Sequence, residues 1–477
     1  FGEGLPVNIQ KMTELSADRL RDESRMTGFC ESFSVPTTVP ELCETALEVW
    51  KNGTPITIAG AMTGICGAAV PHGGHLISTE KLNKIIAFSC NESGAFVTVE
   101  PGVRLSELLN YCRQNAKKLG GASFLPNPSE KLATLGGMFS CNARGANSLL
   151  HGDTAGAVFG IKMLCTNGEM LEIRRGENFF ADTEIDLVDL IGGSEGMLGI
   201  ITELTLKLEK PAPELWGAMF FFDKKTQGLA FADAISAHFA GANSEAAGLA
   251  ALEYIDKAAM TLVNEHKKQV TQLQSLPDFP SGANAAIYLE LEGENADEAE
   301  AELGRALEIF EALGGLERDA LAAVGEDECE KFRLLRHAVP EAVNAEIDRQ
   351  RRADPRILKL CTDFEAPALG VAELEALYSK LLFESGLQGT IFGHLGAKRL
   401  HFNLLPRSFE EFEKGKSLIF ELAQRLSHVE ANVTWENGIG KTKKELYNIF
   451  AGERRKILLA AKQAFDEKGL LNPKNML

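Results

Sequence analysis

The sequence predicts an α+β fold divided into two domains and a short C-terminal segment. The chain has 477 residues, whereas single hydrophobic cores stop growing at about 250–300 residues. Runs with helical spacing and runs that alternate in polarity occur in both halves of the chain. Between the halves, the stretch Lys210-Pro211-Ala212-Pro213 breaks the pattern. We therefore predict domains over residues 1–210 and 211–425, followed by a segment over 426–477.

The first domain contains helices and strands that turn residues delimit. An amphipathic helix is predicted over 40–50, where it ends at Asn52-Gly53. Strands are predicted at 54–59, 76–78 and 95–99, and a second helix at 105–119. Thr166-Asn167-Gly168-Glu169 lies between two alternating runs and predicts a β-hairpin.

The second domain is predicted to be a sheet flanked by helices, with the split βαβ character of ferredoxin-like folds. Strands are expected near 215–221, 286–292, 358–364 and 388–404. Helices are expected near 225–240, 252–275, 295–314 and 369–386. A final helix over 452–468 precedes a short tail at 471–473.

Composition narrows the possible functions. A net charge of −18 disfavours nucleic acid and anionic membranes as partners, because both would be repelled. No run of about 18 apolar residues occurs, so no transmembrane segment is expected. The nine cysteines are isolated, which excludes the usual spacings of zinc and iron–sulfur sites. Their odd number and apolar neighbours predict reduced thiols and a cytoplasmic protein.

A glycine-rich stretch over 59–71 follows an apolar, β-branched run. Such a loop can adopt positive φ angles and expose several backbone N–H groups, which together form a concave site for phosphate oxygens. The stretch lacks both G-x-G-x-x-G and G-K-[ST], so it predicts neither a Rossmann nor a Walker motif. On spacing alone, an ordinary glycine-rich turn remains an alternative.

Two further glycine-rich stretches give the loop its context. Residues 124–160 contain P-x-P, A-T-x-G-G and N-A-x-G, and residues 191–203 contain G-S-E-G-x-L-G-I-I-T-E. Together the three stretches resemble the FAD-binding domain of the vanillyl-alcohol oxidase/p-cresol methylhydroxylase flavoproteins. The resemblance is greatest to the branch with D-lactate dehydrogenase, glycolate oxidase and D-2-hydroxyglutarate dehydrogenase, and it extends over nearly the whole chain. It implies a two-part FAD-binding domain of the p-cresol methylhydroxylase type and a ferredoxin-like substrate cap domain.

This resemblance also implies which residues bind FAD. The pyrophosphate would be bound through the backbone N–H groups of Gly60, Ala61, Met62, Thr63 and Gly64. Ser78 would lie beside the cofactor, and the tail with Asn472 would return to the flavin. The flavin, its ribityl chain and the adenosine would be lined by Pro126, Thr134, Gly136, Gly137, Asn142, Gly145, Gly199 and Ile200.

His75 follows paired glycines, as does the histidine to which some relatives attach FAD covalently. The position after the pyrophosphate loop is better matched by Ile77-Ser78, which would begin a strand. We therefore interpret His75 as a turn histidine and expect FAD to bind non-covalently.

A histidine pair is predicted in a hairpin of the second domain. Residues 393–403 resemble G-H-x-G-D-x-x-x-H-x-N of the same family. A two-residue turn at Ala397-Lys398 would place His394 directly opposite His401 and allow both to bind one divalent metal. Residues 434–441 resemble T-x-E-H-G-I-G-K, in which relatives supply a metal-ligating carboxylate, here Glu436. Two histidines and one glutamate suit Zn²⁺, Mn²⁺ or Fe²⁺; two histidines satisfied within the hairpin are the alternative.

The sequence departs from this family at two positions. Asn437 stands where active relatives have the histidine that accepts the hydroxyl proton, and Ala397 replaces the turn aspartate. An amide cannot act as a general base near neutral pH. By resemblance, Arg336 would bind the substrate carboxylate and Lys359 would add a second cationic contact. The catalytic candidates are therefore Asn437, His394, His401, Arg336 and Lys359.

Two functions follow from these expectations. The first is FAD-dependent oxidation of a D-2-hydroxy acid, with electrons passed to an electron-transfer flavoprotein or an iron–sulfur protein. The second is an FAD-binding electron-transfer subunit that has lost substrate chemistry, as Asn437 and Ala397 suggest. A redox-neutral enzyme of the alkylglycerone-phosphate synthase type is less favoured, since its histidine cluster is not visible. A homodimer is implied only through relatives.

Overall fold

The structure is a computed structural model. It describes residues 9–13, 18–91, 94–126, 128–241, 247–364, 369–429, 436–450 and 452–477. The chain forms two compact units. The first unit comprises Phe1–Gly145, Gly152–Pro211 and Glu436–Leu477, and the second comprises Ala146–His151 and Ala212–Trp435. Among the described residues, no helix is both long and apolar enough to cross a membrane.

The first half of the chain contains nine strands among its described residues. They are β1 (Gln10–Lys11), β2 (Ser32–Ser34), β3 (Ile56–Ala59), β4 (His75–Ser78), β5 (Ile85–Asn91), β6 (Gly94–Val99), β7 (Val158–Leu164), β8 (Met170–Arg174) and β9 (Ile200–Leu208). The helices between them are α1 (Val39–Lys51), α2 (Leu105–Gln114), α3 (Leu135–Cys141), α4 (Ser148–His151) and α5 (Leu187–Ile191).

These strands form two sheets in the first unit. One sheet has the order β1-β2-β4-β3, with parallel pairing from β2 to β3, and the other is an antiparallel sheet of order β5-β6-β9-β7-β8. The hairpin predicted at 166–169 joins β7 to β8, and Gly168 has the positive φ that its turn requires. The C-terminal tail also joins this unit, because Leu471 forms a parallel bridge with Ile56 of β3.

The second half of the chain supplies one seven-stranded antiparallel sheet. Its strands are β10 (Glu214–Phe222), β11 (Gly248–Asp256), β12 (Ala285–Gly293), β13 (Ala320–Val324), β14 (Leu360–Thr362), β15 (Gly389–His394) and β16 (Arg399–Leu404), in the order β13-β10-β12-β11-β15-β16-β14. The helices are α6 (Lys225–Gly241), α7 (Lys257–Lys267), α8 (Ala296–Ala312), α9 (Glu326–Arg351), α10 (Val371–Ser385), α11 (Phe409–Ser427), α12 (Lys444–Phe450) and α13 (Gly452–Phe465). The last two belong to the first unit.

The long helix predicted over 252–275 is wrong. Residues up to Asp256 belong to β11, and α7 begins only at Lys257. Asp256 separates the two elements, because its carboxylate accepts a hydrogen bond from the N–H of Ala259 at 2.7 Å and caps the helix. This correction matters for the site, since it places Glu253 in the middle of the sheet.

One short helix of the first half belongs to the second unit. Helix α4 packs against β11, and its His151 Nε2 lies 2.8 Å from Glu292 Oε1 of β12. A Cβ at Gly396 would lie 2.5 Å from Leu149 Cδ2, so the turn between β15 and β16 approaches this helix closely. Residues 146–151 therefore form part of the second unit despite their position in the sequence.

Candidate functional site

The predicted phosphate loop leaves the end of β3 in the first unit. Met62 adopts a positive φ of 57° in this loop, so the backbone turns sharply there. Gly60 is required for packing, because a Cβ at this position would lie only 2.2 Å from Thr134 Oγ1. Gly64 is less constrained, since its Cβ would meet Asp22 Oδ2 at an ordinary 3.5 Å.

A cavity of about 380 Å³ lies beside this loop. Five predicted cofactor residues line it, namely Gly60, Ala61, Met62, Ser78 and Thr134. Further polar side chains around the cavity, which were not predicted from the sequence, are Asp18, Arg19, Glu80 and Arg104. Arg19 and Glu80 form an ion pair of 2.8 Å there. The structure thus brings three separated stretches of the predicted FAD site together around one cavity.

Helix α3 and its two capping residues account for four of the predicted residues. Thr134 caps the helix, and its hydroxyl accepts a hydrogen bond from the N–H of Gly137 at 3.3 Å. A Cβ at Gly136 would lie 2.6 Å from Pro101 Cβ, so the helix packs closely against that turn. Asn142 ends the helix in the left-handed conformation, and its amide bonds Asp153 and the N–H of Ala155.

The remaining predicted cofactor residues lie elsewhere in the first unit and do not line the cavity described above. Gly199 precedes β9, where a Cβ would overlap Met163 Sδ at 2.2 Å, and Ile200 pairs with Leu164. Asn472 accepts a hydrogen bond from the N–H of Ile58 at 2.7 Å and therefore ties the tail to β3. Pro126 and Gly145 are buried in the same unit, and Thr63 lies half-buried in the glycine-rich loop.

His75 is not a turn histidine, which corrects the sequence interpretation. It begins β4 and is fully buried. Its Nδ1 lies 2.8 Å from Ser32 Oγ and its Nε2 lies 2.9 Å from Ser34 Oγ. Burial lowers the pKa of His75 to about 4. Because both ring nitrogens are hydrogen-bonded to serines, His75 fits non-covalent rather than covalent FAD binding.

The motif around Asn437 also lies in the first unit, although Thr434 and Trp435 fall outside the described residues. Glu195, from the predicted G-S-E-G stretch, accepts hydrogen bonds from the N–H groups of Ile439 and Gly440 at 2.5 and 2.8 Å. Cys66 donates its thiol hydrogen to the carbonyl of Asn437 at 2.6 Å. Two predicted motifs and the phosphate loop are therefore joined by hydrogen bonds within one unit.

The hairpin with His394 and His401 has a different register from the predicted one. The turn contains four residues, Leu395 to Lys398, because Lys398 adopts a positive φ and donates its N–H to the carbonyl of Leu395. His394 consequently pairs with Arg399, and His401 pairs with Phe392. The two histidines are diagonal neighbours on one face of the sheet rather than direct partners.

The diagonal arrangement still brings the two imidazoles together. Their ring centroids lie 5.4 Å apart in an edge-to-face geometry. Potential ligand nitrogens of His394 and His401 lie within 4.8 Å of each other, and both side chains are buried. Gly393, with a φ of 143°, permits this approach, since its Cβ would lie 3.0 Å from His401 Cδ2. The histidine pair therefore fits one divalent ion in its donor chemistry.

Arg336 and His394 are bridged by Glu253, which the sequence analysis missed. Arg336 donates its Nε–H to Glu253 Oε2 at 2.7 Å, and His394 Nδ1 lies 2.5 Å from Glu253 Oε1. Burial on its own would raise the pKa of the Glu253 carboxyl, but His394 and Arg336 lower that pKa to about 2. An acidic residue within the apolar run of 249–256 was the available sign of this role.

The other predicted cation lies at the end of the same sheet. Lys359 immediately precedes β14 and donates a hydrogen bond from Nζ to Asn344 Oδ1 at 2.7 Å.

Asn403 shares a face with His401 because it lies two positions further along β16. It is buried, and its Nδ2 has no hydrogen-bond partner among the described residues. Asn403 is therefore a further polar group on this face, and it was not among the predicted site residues.

Comparisons with known proteins identify the family and the fold. Residues 31–174 match the family described as FAD binding domain, and residues 224–476 match FAD linked oxidases, C-terminal domain. A D-lactate dehydrogenase of Anaerostipes hadrus is 27% identical over 482 residues, which cover 99% of this chain and 95% of that protein. The glycolate oxidase subunit GlcD of Bacillus subtilis (strain 168) is 25% identical, with 89% and 84% covered. The crystal structure of p-cresol methylhydroxylase with substrate bound superposes with a TM-score of 0.71 at 15% identity, covering 98% of this chain and 93% of that one.

The family match over residues 31–174 and the structural similarity define an FAD-binding protein with the p-cresol methylhydroxylase fold. The predicted α+β class is therefore confirmed. The chain belongs to the FAD-linked oxidases and is an FAD-dependent oxidoreductase. The first unit fits this cofactor on structural grounds too, since the backbone of the glycine-rich loop at residues 60–62 lines the cavity together with the hydroxyl-bearing Ser78 and Thr134.

Proposed function

We propose that the protein oxidises a D-2-hydroxy acid to the corresponding 2-oxo acid with FAD as its cofactor. The observation that carries the proposal is the buried group of Arg336, Glu253 and His394 on the face of the second unit's sheet. Such a group offers a cation for a carboxylate and an imidazole for a hydroxyl or metal. The names of the relatives support the substrate class, since they include D-lactate dehydrogenase and D-2-hydroxyglutarate dehydrogenase.

Arg336 is proposed to bind the substrate carboxylate. Its Nε is occupied by Glu253, whereas its terminal nitrogens donate no hydrogen bond to any described residue. The guanidinium lies over the Phe392 ring at 4.9 Å, which holds it flat and leaves its outer edge for a two-point contact. We propose Lys359 as a second cationic contact.

His394, His401 and Glu436 are proposed as ligands of a divalent metal, Zn²⁺, Mn²⁺ or Fe²⁺. The facing nitrogens of the two histidines support this assignment, and the position of Glu436 within its motif suggests the third ligand. A metal in this place would supply a Lewis acid that lowers the pKa of the substrate hydroxyl. With such help, Asn437 would orient the hydroxyl through hydrogen bonds without itself accepting the proton.

Oxidation of the hydroxy acid releases two electrons and two protons, and FAD supplies the electron acceptor when it is bound. We propose that the electrons pass on to a separate electron-transfer flavoprotein or iron–sulfur protein. All nine cysteines are free thiols, which supports a reducing compartment such as the cytoplasm. A homodimer is likewise proposed on the basis of relatives alone.

The proposal is tested by anaerobic titration of the FAD-loaded protein with D- and L-2-hydroxy acids. We expect loss of the oxidised flavin absorption with one D-acid and not with its enantiomer. Arg336→Lys should weaken the binding of that acid at least tenfold, because a lysine lacks the planar guanidinium fork. Arg333→Lys is the matched control, since Arg333 lies on the same helix but binds Glu290 through two hydrogen bonds. If no acid reduces the flavin in the metal-loaded protein, the proposed reaction is wrong.

A second candidate function is an electron-transfer subunit that binds FAD without oxidising a substrate. Asn437 and Ala397 favour it, because both replace residues that active relatives use. In this case the flavin would stay oxidised with every acid and would be reduced by a partner protein. The same titration, repeated with a reduced electron-transfer flavoprotein, separates the two functions.

A further inference from the structure

Glu253 lies at the centre of the buried polar face of the second unit. It is 0% exposed and pairs in register with His394 on β15 and Tyr288 on β12. One carboxylate oxygen lies 2.5 Å from His394 Nδ1, and the other accepts the Nε–H of Arg336 at 2.7 Å. The carboxylate is thus shared between a strand residue and a residue of helix α9.

A second buried carboxylate on the same face shows a different arrangement. Glu290 is also 0% exposed and pairs with an α9 arginine, Arg333. Both oxygens of Glu290 accept hydrogen bonds from Arg333, at 2.8 and 2.6 Å, and the Tyr288 hydroxyl donates to Glu290 as well. One arginine thus binds both oxygens of Glu290. Glu253 differs because each of its oxygens holds a different side chain.

The shared carboxylate determines where the His394 ring keeps its proton. A carboxylate can only accept hydrogen bonds, so a contact of 2.5 Å with Nδ1 requires a proton on Nδ1. In the neutral ring, the lone pair then resides on Nε2. A carboxylate that fixes the tautomer and orientation of a ligating histidine also increases its basicity toward a metal.

The same carboxylate orients Arg336. Because its Nε is held by Glu253, the guanidinium can present only its terminal nitrogens to a ligand. The Phe392 ring reinforces this geometry, since it packs under the guanidinium at 4.9 Å and contacts the His401 ring at 5.1 Å. One carboxylate and one aromatic ring therefore link the cation to both histidines.

We propose that Glu253 is a positioning residue for the reaction, which holds the metal-binding face of His394 and the carboxylate-binding edge of Arg336 in fixed relation. The inference deepens the proposed function and rests on it for the identity of the metal and the substrate. Because Glu253 sets the distance and angle between His394 and Arg336, its loss should weaken metal binding and carboxylate binding together. Losing an ordinary buried ion pair should impair neither.

Glu253→Gln is the decisive variant, because it keeps the size of the side chain and removes its second acceptor. The amide oxygen can accept from either Arg336 or His394, but the amide nitrogen must then face the other group as a donor. If the amide nitrogen faces Arg336, it meets the Nε–H, so that two donors oppose each other. If it faces His394, the ring must accept at Nδ1 and carry its proton on Nε2. Glu290→Gln is the matched control on the same face, with the same burial and the same type of partner.

Three measurements on the full-length protein separate a positioning role from a structural one. The first is the affinity of the metal-stripped protein for Zn²⁺, measured by equilibrium dialysis. The second is the KM and kcat for the reactive 2-hydroxy acid in the metal-loaded holoenzyme. The third is the pair of imidazole ¹⁵N shifts of His394 without metal, assigned by their disappearance in His394→Gln.

We expect Glu253→Gln to weaken Zn²⁺ binding about 10- to 100-fold, to raise the KM for the acid, and to change the His394 ring-nitrogen shifts. Glu290→Gln should leave all three close to those of the unmodified protein. Equal effects of the two variants, or unchanged His394 shifts in Glu253→Gln, would overturn the inference. If the unmodified protein binds no metal and oxidises no 2-hydroxy acid, the proposed function fails, while the ring-nitrogen shifts still decide whether Glu253 positions His394.

Discussion

Replacing Gly60 by alanine should damage the cofactor side of the protein through one identified contact. The added Cβ would lie 2.2 Å from Thr134 Oγ1, whereas real Cβ contacts stay above 3.0 Å. The loop or the hydroxyl must therefore move by about 0.8 Å to relieve the overlap. Both residues line the cavity in the first unit, so a shift of either alters the space that remains for FAD.

Two forms of relaxation are available to the Gly60→Ala protein. If the Thr134 hydroxyl rotates away, it loses its hydrogen bond to the N–H of Gly137, and such a cap is worth about 1 kcal/mol. If the loop and helix α3 separate instead, overpacking of this kind costs about 1–3 kcal/mol. We therefore expect a destabilisation of about 1–3 kcal/mol, which corresponds to FAD binding about 5- to 150-fold weaker if the bound state requires the native loop.

A double-mutant cycle measures whether the contact with Thr134 is the cause. Thr134→Ala removes the hydroxyl, and the nearest remaining atom is Thr134 Cβ at an ordinary 3.4 Å. Gly60→Ala should then cost little in the Thr134→Ala background, with a coupling energy of about 1 kcal/mol or more. FAD affinity is followed by flavin fluorescence, and stability by the thermal midpoint of the FAD-free protein.

Gly64→Ala is the control from the same loop, since its Cβ would meet nothing closer than 3.5 Å. We expect it to leave the thermal midpoint of the FAD-free protein unchanged. The steric explanation is refuted if Gly60→Ala also leaves that midpoint and the FAD affinity unchanged, or if the effects of Gly60→Ala and Thr134→Ala are additive.

Three other substitutions test separate parts of the structure. Burial lowers the pKa of His75 from 6.5 to about 4, so its contribution to stability is present above pH 6.5 and is lost as the pH falls toward 4. Between pH 7 and pH 4.5 the protonation of His75 should lower the free energy of unfolding by up to about 3 kcal/mol. His75→Gln should remove this contribution, so that the thermal midpoint decreases less over this pH range; an unchanged pH profile would contradict the assignment. Gly393→Ala would place a Cβ 3.0 Å from the His401 ring at a φ of 143°. We therefore expect Zn²⁺ binding at least tenfold weaker in equilibrium dialysis. Native affinity would show that the position of the His401 ring does not depend on a glycine at residue 393. Asn437→His should accelerate flavin reduction by the substrate acid about 10²- to 10³-fold in stopped-flow measurements, if a missing general base limits the reaction; a slower or equal rate would show that Asn437 serves another role.

The sequence predicted most elements of the fold because local periodicity and turn residues determine them. The helix at 40–50 and the hairpin at 166–169 appear as α1 and the β7–β8 turn. The error at 252–275 arose where a strand runs directly into a helix without a glycine or proline between them. Only the capping role of Asp256 marks that boundary, and a single aspartate is a weak indication of it.

The site was predicted less completely, because its geometry depends on contacts that are distant in sequence. The hairpin register differed from the prediction because the positive φ at Lys398 allows a four-residue turn, which residue type alone does not reveal. Glu253 was missed since it was assigned to a helix, where its partners on β15 and α9 could not be foreseen. Similarly, nothing in the sequence places residues 146–151 with the second unit.

Buried charges alone do not show that a site is used. Apolar residues of similar volume often stabilise a protein as well as a buried ion pair does, and in the Glu290–Arg333 pair both carboxylate oxygens are bound by one arginine. The group around Glu253 is different because it is incomplete. Arg336 is 5% exposed, yet its terminal nitrogens donate to no described residue. Those terminal nitrogens can therefore donate to the carboxylate of a ligand. The arrangement therefore supports the proposed binding of a carboxylate substrate, and under that proposal the chemical question is how the hydroxyl proton is removed with Asn437 at the position of the base.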